Sequence, residues 1–523
     1  MTTPKLKTQK PDRLLETLQN KFKLNSFRPQ QREIIETVLT GQDVLVLMPT
    51  GGGKSLCYQL PALISKGLTI VISPLISLIE DQTYSLQKCQ LPVDHYFGEM
   101  EPNSRQKVLT SLSNLKLLYT TPESIQTNQA LIDAIRVLHQ NQQLARFVID
   151  EAHCVSIWGH DFRPDYLNLK QLRSDYPEVG MTALTATARL ETQADIIKQL
   201  TFRPSHRIFK TSYLRPNLRF QVQTKTPDPI DQVARLIKTL NQKNGPKSGI
   251  VYCLSRKDCQ ETCQELQKQG IRADFYHAGI LAAEKTRILN HWLTDQIQVV
   301  VSTTAFGLGI NKTAVSFIIN RDLPNSLEEY YQEAGRAGRD GQKATCYLLY
   351  CRSDVHRWQM INPESAQMTE AIQRYSESRW DCRMRMLVEY LGEPYLAECE
   401  QCDNCRRPES KCVPVTNFIE AIWQIVEQSP LIGRSRLVTE LSKISRGWSR
   451  PCLERLIQLA WRHQVITYQV ESSGYQANLK PDGEYVLKFW SGDKPNLRVY
   501  PTTATNSVNS SQPPKLIKFE LLE

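Results

Sequence analysis

The sequence predicts an α/β protein: two tandem domains on parallel sheets, then a helical cysteine-rich segment and a segment of helices followed by strands. Three observations predict it. Short apolar runs alternate with amphipathic segments up to about Ile361, with Val44–Met48, Leu68–Ser73, Leu115–Tyr119, Phe147–Asp150 and Met181–Thr185 reading as buried strands. A second series follows Pro246: Ser248–Cys253, Ala273–Tyr276, Val299–Ser302, Ser316–Asn320 and Thr345–Tyr350. Continuous apolar strands separated by helices are buried on both faces, as in parallel sheets covered by helices. The proline-containing stretch Tyr213–Ile230 joins the two series. After Ser365 the texture changes: helical segments surround a cysteine cluster, and helices then alternating strands (Val465–Val470, Tyr475–Leu479) follow from Val413.

The chain has 523 residues, 64 basic against 54 acidic, for a net charge of +10. At ~150 residues per domain the length suggests several domains. Apolar residues make up 41% and charged residues 23%, which excludes a disordered or fibrous chain. The basic balance permits nucleic-acid binding. No run approaches the ~18 apolar residues of a membrane span, and Met1–Glu16 lacks the apolar core of a secretory signal. Export is not expected, so the 14 cysteines read as reduced thiols or metal ligands.

Thr50-Gly51-Gly52-Gly53-Lys54-Ser55 follows the first strand and opens a helical segment, Leu56–Ser65. Glycines let backbone N–H groups turn toward phosphate oxygens, and the helix N-terminus adds positive dipole. Lys54 would reach the β/γ-phosphates and Ser55 would ligate Mg²⁺. The strict phosphate-loop pattern wants glycine where Met48 stands. Asp150-Glu151-Ala152-His153 ends an apolar strand. There Asp150 can hold the Mg²⁺ and Glu151 can polarise the attacking water. In the other half, Gln332-Glu333-Ala334-Gly335-Arg336-Ala337-Gly338-Arg339 sets two arginines on one helix face with small residues between. An arginine supplied from a second domain stabilises transition-state charge only when the cleft closes, an effect of about 10³–10⁵ in rate.

Cys382, Cys399, Cys402 and Cys405 form the pattern C-x16-C-x2-C-x2-C. Four clustered thiolates suit tetrahedral Zn²⁺ in a closed, structural site. Unliganded cysteines or an iron–sulfur cluster are the alternatives. Cys412 lies too far on to be an expected ligand. Downstream, Arg434–Arg462 carries seven basic residues against two acidic ones, which suits either contact with a nucleic-acid backbone or a solvated basic face.

These elements in this order resemble the superfamily-two helicases, and the residues between them narrow the resemblance to the RecQ family of DNA helicases. It is carried by Phe27-Arg28-Pro29-Gln30-Gln31, Met48–Ser55, Ser73–Leu78, Thr121-Pro122-Glu123, Asp150–Cys154, Trp158–Pro164 and Ala183–Ala188. Tyr276–Gly279, Ala305–Lys312 and Gln332–Gly341 extend it through the second half. The resemblance covers about Leu15 to Phe489.

It implies two RecA-like domains (1–212, binding ATP, and 213–361, carrying an arginine finger). A zinc-binding domain (362–412), a winged-helix domain (413–500) and a disordered tail (501–523) would follow. Arg28 and Gln31 would read adenine, with Leu24 an aliphatic contact to the base, and Gln332 would join the nucleotide site. Glu151 would be the catalytic base, Arg339 the finger and Arg336 a phosphate contact. Trp158, His160, Phe162 and Arg163 match an aromatic-rich loop that senses DNA, and Arg446 and Arg450 would contact duplex. The turn Glu471-Ser472-Ser473-Gly474 is too short for a long aromatic-tipped hairpin.

The implied activity is ATP-dependent, 3′-to-5′ DNA unwinding in recombination and repair. ATP, Mg²⁺ and Zn²⁺ are the implied cofactors, and the partners are single-stranded and duplex or branched DNA. A monomer is implied, cytoplasmic and nucleoid-associated, with a single-stranded-DNA-binding protein as a further partner. An RNA helicase and a nucleic-acid-binding regulator without hydrolysis are the rivals. The Trp158–Arg163 loop and the cysteines argue against the first, and Lys54, Glu151 and Arg339 against the second.

Overall fold

The computed structural model describes residues 12–156, 163–242, 245–306, 312–361, 366–379, 381–395 and 397–406, then parts of 413–478 and the pair 518–519. One compact unit comprises Met1–Ser378 with Cys382–Cys405, and a second comprises Arg379–Asp381 with Arg406–Glu523.

The first unit holds two lobes. Lobe 1 is built on β1 (Val44–Leu47), β2 (Leu68–Ile72), β3 (Val93–Tyr96), β4 (Leu117–Thr120), β5 (Leu144–Ile149), β6 (Gly180–Thr185) and β7 (Arg207–Lys210). These lie in the order β3-β4-β2-β5-β6-β1-β7, every pair parallel. Lobe 2 is built on β8 (Leu218–Thr224), β9 (Gly249–Tyr252), β10 (Ala273–Tyr276), β11 (Val299–Ser302), β12 (Phe317–Asn320) and β13 (Ala344–Tyr350). Their order is β10-β11-β9-β12-β13-β8, again parallel throughout.

The apolar runs form strands because both faces are covered. In β1, Leu45 and Leu47 enter one buried cluster while Val44 and Val46 enter another on the opposite face. In lobe 2, Ile250 and Tyr252 of β9 face one cluster and Val251 the other. The expected two-lobed parallel architecture is therefore present. It is larger than expected by three strands: β3, β7 and β8. The last lies inside the stretch expected only to join the lobes, so the connection proper is the short run between Lys210 and Leu218.

The cysteine-rich segment is continuous with lobe 2. Cys382, Leu387, Val388, Leu391 and Cys402 share one buried cluster with Phe220, Tyr330 and Tyr375. It also bonds to the edge strand and the turn before it, with Arg219 Nε donating to the Gln401 carbonyl (3.0 Å) and Gln401 Nε2 to the Pro216 carbonyl (2.7 Å).

The second unit has helices Thr416–Gln428 and Arg434–Ile444 and a three-stranded antiparallel sheet. That sheet contains β14 (Ile432–Gly433), β15 (Thr467–Glu471) and β16 (Gly474–Asn478). The expected strand pair is there, and Glu471 opposite Gly474 makes the hairpin short. The expected disordered tail lies outside the described residues except for Lys518–Phe519, which pair with Val413–Pro414.

Candidate active site

The glycine run between β1 and the helix Leu56–Ile64 forms a tight loop. Gly51 and Gly53 have φ of +81° and +91°, a region that side chains with a Cβ avoid. Gly52 is required for a different reason: a Cβ there would sit 2.5 Å from Met48 Cγ and 2.9 Å from the Pro49 carbonyl. Met48 thus departs from the strict pattern by being a core residue beneath the loop, with its N–H extending the β1 ladder to Thr185 (3.1 Å).

Arg28 and Gln31 brace the loop from outside. Arg28 donates to the Gly51 carbonyl, and Gln31 Nε2 donates to the Gly53 carbonyl (3.1 Å). Gln31 Oε1 accepts from the Arg28 N–H (2.8 Å), which orients the pair. Lys54 Nζ donates to the Met48 carbonyl (3.2 Å), and no side chain caps the helix at Ser55. Its first N–H groups bond back to the loop itself, Leu56 to the Gly53 carbonyl (3.3 Å) and Cys57 to the Lys54 carbonyl (3.0 Å), so the helix grows straight out of the loop with its positive dipole end beneath it. Leu24 is exposed.

Asp150 and Glu151 emerge from the end of β5. Asp150 is buried, and burial followed by the neighbouring Glu151 pushes its carboxyl up to about 7 against the pull of Lys54. Its backbone is fixed by its own N–H to Ile72 O (2.9 Å) and by Tyr166 Oη donating to its carbonyl (3.1 Å). Glu151 sits at φ +47°, a left-handed conformation uncommon outside glycine and enriched at functional sites. From there a polar chain runs across the cleft. Glu151 Oε2 lies 3.4 Å from His153 Nδ1, which meets Thr185 Oγ1 at 2.9 Å. Thr185 donates to the Thr187 carbonyl (3.1 Å), and Thr187 Oγ1 accepts from Gln332 Nε2 of lobe 2 (3.1 Å).

Lobe 2 thus closes on the phosphate loop. A Cβ on Gly51 would come within 3.1 Å of Arg339 Cγ, and one on Gly335 within 3.5 Å of Thr50 Cβ. Burial, then Arg336, brings the Arg339 guanidinium down to about 10. A cavity of ≈ 580 Å³ opens beside this seam, lined among others by Glu151, His153, Arg163, Gln332, Glu333 and Arg336. A second tie between the lobes is Arg189 Nε to Glu328 Oε1 (3.0 Å), where Tyr390 Oη also donates to Glu328 (2.8 Å).

The structure therefore gathers Thr50–Ser55, Asp150, Glu151, Gln332, Arg336 and Arg339 about one cleft. Arg163 is at its edge, with Nη1 donating to the Pro74 carbonyl (2.9 Å). Trp158, His160, Phe162, Arg446 and Arg450 lie outside the described residues.

The four cysteine sulfurs lie within 4.8 Å of one another, with Cys402 and Cys405 3.4 Å apart and Cys399 and Cys405 4.0 Å apart. Tetrahedral zinc with ~2.3 Å bonds needs sulfurs about 3.8 Å apart, so the set fits. Mutual contact splits the set, lowering the Cys399 and Cys402 thiols and raising Cys382 and Cys405, as expected of sulfurs packed this closely. The sequence did not single out the brace that builds the site. Arg383, buried directly after Cys382, grips Asp403 with both arms of its guanidinium (3.0 and 2.9 Å). Asp403 stands between Cys402 and Cys405, so this one pair ties the two ends of the cluster together.

Comparison with known proteins follows the same division. Residues 28–196 match the DEAD/DEAH box helicase model, 231–341 the helicase conserved C-terminal domain and 352–406 the RecQ zinc-binding model. A putative ATP-dependent DNA helicase Q1 of Caenorhabditis briggsae is 38% identical over 457 residues, covering 83% of this chain and 74% of that protein. The chain belongs to the RecQ helicase family. ATP-dependent DNA helicase Q-like 2 of Arabidopsis thaliana is also 38% identical, over 464 residues, covering 87% of this RecQ chain and 65% of the relative. This chain thus spans a little under two thirds of that protein. Among solved structures, helicase MrfA bound to DNA superposes with a TM-score of 0.56 at 18% identity, covering 94% of this chain and 67% of that one. At that identity the likeness is one of fold.

Proposed function

We propose that this RecQ chain is an ATP-dependent DNA helicase that moves 3′ to 5′ on single-stranded DNA and unwinds duplex in recombination and repair. The observation that carries the reading is the seam, where phosphate loop, acidic strand end and arginine pair converge from two lobes. In this reading Lys54 holds the β/γ-phosphates, and Arg28, Gln31 and Leu24 hold the adenine end. Ser55 and Asp150 would hold Mg²⁺, which when bound screens phosphate charge. Glu151 takes a proton from the attacking water, Arg339 stabilises the charge that develops, and Arg336 contacts phosphate. Gln332 reports closure through Thr187 and Thr185 to His153, beside the base. Because the finger and the base sit on different lobes, hydrolysis is coupled to lobe movement, and lobe movement to stepping along the strand.

The four cysteines would hold Zn²⁺, which fixes the segment covering lobe 2. Trp158, His160, Phe162 and Arg163 form the DNA sensor, with aromatic stacking worth ~1–3 kcal/mol per base. The second unit serves as a winged-helix domain in which Arg446 and Arg450 grip duplex. The protein acts as a cytoplasmic, nucleoid-associated monomer that meets a single-stranded-DNA-binding protein on its track. The relatives' names, both ATP-dependent DNA helicases, support DNA and ATP as substrates.

Strand displacement on 3′- and 5′-tailed duplexes of DNA and of RNA tests this. ATP-dependent opening of the 3′-tailed DNA is expected; opening of RNA alone, or of the 5′-tailed duplex alone, would overturn it.

A further inference from the structure

Arg215 lies in the connection between β7 and β8, in Leu214-Arg215-Pro216-Asn217. Its own carbonyl accepts from the Leu218 N–H (2.9 Å), which closes a turn and aims the side chain back into the seam. The guanidinium meets four backbone carbonyls. Nη2 donates to Ala337 O (3.0 Å) and Gly338 O (3.2 Å), while Nη1 reaches Gly335 O and Thr50 O, both at 3.4 Å. Three of these acceptors belong to the run that ends at Arg339. The fourth belongs to the phosphate loop of the other lobe. Asn217 completes the hold, with Nδ2 donating to Gly338 O and Gln342 O (2.9 Å each) at the base of the same loop. Gly338 is confined by it: φ is +57°, and a Cβ would fall 2.4 Å from Asn217 Nδ2.

A guanidinium has five donors in a rigid fork, so one side chain can fix several carbonyls from two lobes at once. A lysine, a point charge on a flexible stem, cannot. Among the described residues Arg215 makes no ion pair with a carboxylate; its donors go to the loop that carries the finger.

We propose that Arg215 is a positioning residue for hydrolysis, clamping the Gly335–Gly338 run to Thr50 so that Arg339 reaches the terminal phosphate when the lobes close. This rests on the reading of the cleft as an ATP-hydrolysing site. Misplacing a catalytic group by about 1 Å costs roughly 10²-fold in rate, which sets the expected effect.

The test uses the full chain with single-stranded DNA, as Arg215→Lys and Arg215→Ala. Steady-state ATP hydrolysis gives kcat and KM, and a fluorescent ADP reports affinity with and without aluminium fluoride, a transition-state mimic. In both variants kcat should fall roughly 10- to 100-fold with KM little changed. ADP should still bind, but the tightening by aluminium fluoride should be lost. Ethylguanidinium should restore part of the rate to Arg215→Ala and none to Arg215→Lys. Unchanged kcat and retained tightening in both variants would overturn the proposal. So would loss of plain ADP binding in both, which would mark a merely structural role. Failure of the unaltered chain to hydrolyse ATP would instead strike the underlying reading.

Discussion

Set β7 aside and the two lobes have one topology: order β3-β4-β2-β5-β6-β1 in the first, β10-β11-β9-β12-β13-β8 in the second. Each strand of lobe 1 has its counterpart seven strands later. The stretch after β8 therefore corresponds to the phosphate loop after β1, and the end of β12 to Asp150-Glu151 after β5. Lobe 2 keeps a lysine and an acid at these places, Lys225 and Asp322, but turns them on each other. Lys225 Nζ is bound to Asp322 (2.7 Å) and Asp354 (2.8 Å), all three side chains nearly buried. The helix that follows, Pro229–Asn241, is capped by Asp228, whose carboxylate accepts from the N–H groups of Ile230 and Asp231.

In lobe 1 the equivalent helix lacks a side-chain cap, and three glycines replace the bulk. A lysine and an acid at the ends of two strands with one strand between them are thus insufficient for a nucleotide site. What sets the first lobe apart is a glycine loop free of Cβ atoms that runs directly into a helix with no side-chain cap.

The largest expected effect separating the lobes comes from zinc. Because the cysteine segment shares lobe 2's buried cluster and bonds to β8, chelation or Cys402→Ser should melt lobe 2 while lobe 1 stays folded. Hydrogen exchange resolved by segment would show it. Equal loss of protection in both lobes would erase that asymmetry.

The paired lysines give the next contrast. Lys54→Ala should cut ATP turnover by about 10²–10³ or more with the melting temperature unmoved. Lys225→Met should do the reverse, costing ~3–5 kcal/mol of stability by stranding buried carboxylates while the folded fraction keeps its turnover. Turnover lost in both, with stability intact, would mean that lobe 2 holds a working phosphate lysine after all.

A smaller effect is pH dependence of opposite sign. Burial works against the charge of Lys225, but Asp322 and Asp354 outweigh it and raise its pKa above the usual lysine value. Its contribution to stability is present below that value and disappears as pH climbs through the raised one. Asp43 in lobe 1 is the mirror case. Burial would raise it, yet hydrogen bonds from the Arg203 side chain and backbone, then Met181, bring it below the usual aspartate value. Its contribution is present above the ordinary carboxylate pKa and vanishes as pH drops through the lowered one. Segment-resolved exchange should find protection around Lys225 lost as pH rises and protection around Asp43 lost as pH falls; the opposite sign at either place would reject that assignment.

The strands that carry the seam were legible because they are apolar throughout. Those that escaped are not. β3 (Val-Asp-His-Tyr) and β8 (Leu-Arg-Phe-Gln-Val-Gln-Thr) interleave polar residues, and β7 exposes Arg207 and Ile208 at a sheet edge. The phosphate loop, Asp150-Glu151, the arginine pair and the cysteines were legible from residue type and spacing. Arg215 was not, since its partners are backbone carbonyls, which every residue possesses. Nor was the Arg383–Asp403 brace, which depends on the chain returning to its own start.

If chemistry on lobe 1 waits for an arginine from lobe 2, ATP turnover by Arg339→Ala will reveal it. With nucleotide affinity checked in the same preparation, binding should persist while DNA-stimulated hydrolysis falls by about 10³–10⁵. Hydrolysis within a few-fold of the unaltered chain would contradict the account, because lobe 1 would then be firing alone.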